Sequence, residues 1–135
     1  MMLEEQLLQH KIFSKAGAFS IRKNSKSIIE SIQYSRELLN NPRNMLVLFP
    51  QGIIHSIYEN SIFFEKGITN ILKDKNEVSV YFFAAFIDYM ENKKPSLYLY
   101  VEKPKTESSY NHLLLEEAYN HFYSSCYENQ KSKIK

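Results

Sequence analysis

The sequence predicts an α/β fold, a mixed and partly parallel sheet flanked by helices. Three observations predict it. An amphipathic helical segment at 27–39 lies between two short apolar segments, 18–21 and 45–49, which is the layout of a βαβ unit with parallel strands. The longest apolar run, 78–87, is rich in Val and Phe and reads as a central strand. A further run, LYLYV at 97–101, follows it after the turn ENKKPS. That connection is short, so the last two strands are expected to pair antiparallel.

The elements follow in order. Residues 3–15 are expected to be helical, with Leu3, Leu7, Leu8 and Ile12 on a loose apolar face. Gly17 stops that helix, 18–21 form a strand, and 24–26 turn the chain. Ser27 and Glu30 have the spacing of a capping box. Ile28, Ile32, Ser35 and Leu39 then recur at helical intervals, and Asn40, Asn41 and Pro42 end the helix. Met45 to Phe49 are uniformly apolar and are expected to be a strand buried on both faces. An irregular stretch runs to about Ser61, and 66–72 read as a short helix. The last helix is expected over 111–127, with Leu115, Tyr119, Phe122 and Cys126 as its buried stripe and a solvated tail, QKSKIK, after it.

Composition bounds the function. The 135 residues, 44% of them apolar and 24% charged, suit one globular domain spanning 1–135, with no repeat or low-complexity linker to divide it. Seventeen basic residues against 15 acidic ones are too balanced for a nucleic-acid partner. Lys11, Lys15, Arg22, Lys23 and Lys26 nevertheless cluster, as a solvated face or as a site for an anionic ligand or membrane surface. Ten Tyr and nine Phe fill a core or face an apolar ligand, the core being the commoner fate. A single cysteine, Cys126, excludes an internal disulfide and a multi-cysteine metal site, and it is read as core; no metal site is expected. No apolar run approaches the ~18 residues of a membrane span. The segment MMLEEQLLQHK lacks the basic-then-apolar layout of a signal peptide.

Three stretches carry candidate chemistry: GAFSIRKNS at 17–25, FPQGIIHS at 49–56 and FFEKGI at 63–68. Each alone is weak; their order and spacing are more specific. Strand ends that carry polar groups on a Gly turn are where α/β proteins keep ligand sites. Arg22 is the best anion ligand, because a guanidinium matches a phosphate with two parallel hydrogen bonds. Its ordinary alternative is a surface arginine paired with an acid such as Glu30, and that of Lys66 is a solvated lysine. Gly52 and Gly67 are expected to allow special backbone angles in either case.

This layout resembles the glycerolipid acyltransferase family, the lysophosphatidic acid (1-acylglycerol-3-phosphate) acyltransferase-like enzymes. GAFSIR resembles its G-x-F-I-x-R motif, FPQGIIH its F-P-E-G-T-R-S motif, and Phe64, Lys66 and Gly67 a following F-x-x-G element. VSVYFFAAF stands where the family has an apolar strand usually containing a Pro, which is absent here. The likeness covers nearly all of residues 1–103. It implies a glycerol-3-phosphate acyltransferase-like fold, incomplete at the N-terminus. It implies transfer of a fatty acyl group from acyl-CoA or acyl-carrier protein, as co-substrate and with no bound cofactor, to a hydroxyl of a lysophospholipid or glycerol-phosphate-like acceptor. The acceptor-binding residues it implies are Gly17, Phe19, Arg22, Phe49, Pro50, Gln51, Gly52, Lys66 and Gly67. The implied location is cytoplasmic, peripheral at the inner face of a membrane.

The departures are chemical. The family's His-x4-Asp, in which the His is the general base, precedes the G-x-F element by roughly thirty residues. Here 16 residues precede Gly17, and Lys15 stands at the Asp place relative to His10. His112 and Glu117 have the spacing but lie downstream, about 140° apart around a helix. His55 and His121 have no acid at the required position. No catalytic residue is therefore assigned. The expected state is an N-terminally truncated acyltransferase, or one with a misassigned start codon, with little or no transfer activity of its own. Gln51 replaces the carboxylate by an amide, and Ile53 and Ile54 replace Thr and Arg, so one phosphate-binding cation is missing; His55 is a partial substitute. The alternative from another class is a catalytically inactive lipid- or membrane-surface-binding module, and the blandest reading is a small α/β domain.

Overall fold

The computed structural model describes residues 2–3, 15, 17–21, 26–56, 59, 61–105 and 110–133. The chain forms two compact units, Met1–Ile53 with Phe64–Val78, and Ile54–Phe63 with Ser79–Lys135.

In the first unit, β1 (Met2–Leu3) pairs parallel with β2 (Ser20–Ile21), Met2 opposite Ser20 and Leu3 opposite Ile21. Helix α1 (Ser27–Leu38) follows, then α2 (Gly67–Leu72), and the two helices pack together. The 3.6-residue repeat puts Ser35 at the centre of the buried face of α1, fully enclosed. A small residue there lets a neighbour come close. Its hydroxyl donates to the Ser31 carbonyl at 2.7 Å, so burial leaves it satisfied. Ile71 and Leu72 of α2 supply the apolar partners, Ile71 at 0% exposure. The Arg36 guanidinium of α1 donates to the carbonyls of Asn70 at 2.7 Å and Lys73 at 2.9 Å. These carbonyls at the end of α2 have no intrahelical partner, and a cation there also suits the helix dipole.

In the second unit, β3 (Phe82–Asp88) and β4 (Ser96–Glu102) form an antiparallel hairpin, with Phe82 opposite Glu102 and Asp88 opposite Ser96. Period-2 alternation buries Phe82, Ala84 and Phe86 on one face. Helix α3 (His112–Ser132) covers that face with Leu115, Phe122, Tyr123 and Cys126. The Asn111 side chain caps it by accepting from the Leu113 N–H at 3.1 Å. Phe86 stacks on Tyr123 at 5.6 Å between centroids, and Phe82 meets Tyr119 edge-on at 5.3 Å. The Asn120 side-chain amide takes both backbone groups of Ile62, donating to its carbonyl at 2.9 Å and accepting its N–H at 2.8 Å. One side chain thus serves the 54–63 segment as a neighbouring strand would.

The expected mixed, partly parallel sheet flanked by helices is not formed. Among the described residues there are three helices and a two-stranded antiparallel sheet, and the parallel pairing is confined to the two-residue strands β1 and β2. Met45 to Phe49 belong to no strand, and their exposure alternates: Met45, Val47 and Phe49 are exposed, Leu46 and Leu48 half-buried. A strand needs a partner ladder, and the partner of 82–88 is the segment joined to it by a short turn, which costs the least loop entropy. The capping box also fails: the N-cap is Lys26, whose side chain makes no capping hydrogen bond. The antiparallel hairpin and α1 are as expected. Of the expected stripe of α3, Leu115, Phe122 and Cys126 are buried but Tyr119 is half-buried; Tyr123 and Gln130 are buried in addition, and the helix runs five residues further than expected, to Ser132 instead of Tyr127. The helix expected over 3–15 lies mostly outside the described residues, and Leu3 itself is in β1.

Candidate functional site

Phe49, Pro50, Gln51 and Gly52 form a β-turn, closed by the Gly52 N–H donating to the Phe49 carbonyl at 3.3 Å. Pro at the second position and Gly at the fourth are what such a turn favours. Gly52 has φ +66°, a left-handed conformation that a Cβ makes costly. The Glu65 N–H donates to the Pro50 carbonyl at 2.8 Å. This bond ties the second candidate stretch to the third, bringing FPQG and FEKG together in the first unit. The Glu65 side chain lies over Gly52: a Cβ there would stand 3.1 Å from Glu65 Cγ and 3.3 Å from Oε1. A carboxylate therefore reaches the turn from Glu65, beside the position where Gln51 carries only an amide.

Lys66 is exposed and is the N-cap of α2, so its ammonium projects from the end of that helix nearest Glu65. Gly67 opens α2 with room for a Cβ. Pro50, Gln51 and Gly52 are half-buried, whereas Phe49 is 62% exposed. Phe19 is half-buried with its ring edge-on to Tyr34 of α1 at 5.0 Å. Gly17 has φ +82°, and a Cβ there would have nothing within 4 Å. Arg22, the expected anion ligand, lies outside the described residues, as do Lys11, Lys23 and His10.

Sequence reasoning misses Glu65; the only signal is an acid between the Phe and the Lys of FFEKG. His55 is half-buried and falls in the second unit. His112 and Glu117 both lie on α3, five residues apart. A polar cleft lined by Gln33, Arg36, Glu37, Asn40 and Lys75 lies on α1 and contains none of the expected site residues. Its basic groups are already engaged, Arg36 on α2 and Lys75 on the Asn40 side chain. Among the described residues no group of three or more His, Cys, Asp or Glu gathers to hold a metal ion, and no helix is long and apolar enough to cross a membrane.

Comparison with protein-family models, with curated proteins and with solved structures gives no match.

Proposed function

We propose that this chain is the acceptor-binding part of a glycerolipid-type acyltransferase, engaging a lysophospholipid or glycerol-phosphate-like molecule. The observation that carries the reading is the Glu65 N–H···Pro50 bond, which joins two stretches that the resemblance assigns to one acceptor site. Gln51 offers a donor and an acceptor to a glycerol hydroxyl, and Glu65 an acceptor. Lys66 and Arg22 supply positive charge for a phosphate. Phe49, exposed on the turn, suits the first carbons of an acyl chain. The reading rests on these groups and on the order of the motifs, and it does not require a parallel sheet. The chain contains no His-x4-Asp pair, so it is assigned binding and no proton transfer.

The test is equilibrium binding of lysophosphatidic acid against the monoacylglycerol of the same chain length. The phosphate form should bind at least about tenfold tighter, and Arg22→Ala should remove most of that preference, the loss of one charge-assisted contact being about 1.5–3 kcal/mol. Equal binding of the two, unchanged in Arg22→Ala, contradicts the reading.

A second reading, a non-catalytic lipid-surface module, is favoured by one observation: Met45, Val47, Phe49 and Ile53 are all exposed in one short stretch of a unit that also exposes Lys15, Lys26, Lys66 and Lys73. Binding to anionic vesicles that falls steeply with salt, with no preference for a lysophospholipid, supports this reading instead.

A further inference from the structure

The second unit presents an apolar sheet face that α3 does not cover. Phe83, Ala85 and Ile87 of β3 lie opposite Val101, Leu99 and Leu97 of β4, and every one of the six is exposed. Exposure reaches 58% at Phe83, 66% at Ile87 and 61% at both Leu97 and Leu99. Tyr81 and Tyr89 flank the patch, and Lys103 stands at its rim with its ammonium 5.9 Å from the Tyr81 ring centre. A contiguous patch of this kind is uncommon on a monomer and marks an interface.

We propose that this face is the interface of a two-fold dimer of the chain, packed sheet on sheet. Area is the first argument. Seven large side chains more than half exposed offer about 800 Å² per copy, at ~150–250 Å² for a whole aromatic side chain, and a stable interface needs about 800 Å² per partner. Shape is the second. A two-fold axis parallel to the strands lays β3 of one copy over β4 of the other. The hairpin register then seats Leu99 of each copy over Ala85 of its partner, Phe83 over Val101, and Ile87 over Leu97. The one small residue of the patch thus receives a large one, reciprocally, as an isologous contact requires. An axis across the strands instead stacks Leu99 on Leu99 and leaves Ala85 against Ala85, a clash beside a void. Charge is the third: the six central residues carry none, so nothing there keeps two copies apart or draws an anionic bilayer.

Sedimentation equilibrium of the full chain over a concentration series tests the proposal. The wild type should fit a monomer–dimer equilibrium. Leu99→Lys and Ala85→Glu, each at an exposed position and checked for unchanged helical circular dichroism, should each weaken association at least about tenfold. Mixing the two variants should restore a dimer of one copy of each, because the introduced ammonium then meets the introduced carboxylate across the axis while the second Leu–Ala contact is native. A wild type that stays monomeric, or assembles without limit, overturns the proposal. So does association indifferent to both substitutions, or a mixture no tighter than either variant alone. Binding of neutral vesicles that Leu99→Lys abolishes, with no dimer at any concentration, gives the face to lipid and also overturns it.

Discussion

Replacing Gly52 with alanine should destabilise the first unit by about 1 kcal/mol. The φ of +66° is the origin. An L-residue held there costs about 1–2 kcal/mol. The added Cβ also meets Glu65 Cγ at 3.1 Å, tighter than ordinary van der Waals contact. Glu65 is exposed and can swing away, so this contact adds little energy but displaces the carboxylate from the turn. Against both effects, alanine lowers the entropy of the unfolded chain, which favours folding by about 0.4–1 kcal/mol. Gly52→Asn should lose less, because Asn tolerates the left-handed region. Gly67→Ala is the control. Gly67 sits in the first turn of α2 with nothing within 4 Å of a new Cβ, so alanine there should be neutral or stabilise by up to about 1 kcal/mol. Urea unfolding of the four proteins, fitted for midpoint and slope, measures the differences. Gly52→Ala as stable as the wild type, or Gly67→Ala harmed as much as Gly52→Ala, refutes the reasoning.

Leu115→Ala removes a fully buried side chain from under the hairpin and should cost about 2–5 kcal/mol in the same unfolding assay. Arg36→Ala strips the Asn70 and Lys73 carbonyls of their shared donor, the Arg36 Nη1, and should cost about 1–2 kcal/mol in the same assay. The Tyr119 hydroxyl is pushed up to about 12, chiefly by burial and secondarily by Tyr123 and Cys126. Below pH 10 the phenol is protonated in both states and adds no pH dependence. Above pH 10 the unfolded chain ionises first, so stability should fall as pH rises toward 12, and Tyr119→Phe should flatten that fall in alkaline unfolding curves.

Much of the architecture is legible as period. The apolar runs at 78–87 and 97–101 and the short turn between them specify an antiparallel pair, whereas its register and which face is covered appear only in the structure. The stripe Leu115, Tyr119, Phe122 and Cys126 specifies the covered side of α3, with Tyr119 half-buried against Phe82 and Tyr123 the buried residue it misses. The expectation of a strand at 45–49 fails because an apolar run specifies burial no better than it specifies a strand. MLVLF has the composition of a strand buried on both faces, yet Met45 is 83% exposed. The clasp from Asn120 is invisible in the sequence for a related reason: its partner, Ile62, lies 58 residues away in the chain. A polar residue on a helix gives no hint that its amide will mimic a strand. In the candidate site, the turn at Pro50 and Gly52 follows from turn chemistry, whereas the two Phe-led stretches are seen to adjoin only through the Glu65–Pro50 bond, and Glu65 emerges only from its position over Gly52.

Residues far apart in sequence should meet one acceptor. Amide chemical-shift mapping of the isotope-labelled chain, titrated with lysophosphatidic acid, tests it most directly. The amides of Gly17, Phe19 and Arg22, of Gln51 and Gly52, and of Lys66 and Gly67 should shift together along one saturating curve. Shifts confined to the β3–β4 hairpin, or scattered over exposed lysines without saturation, contradict it.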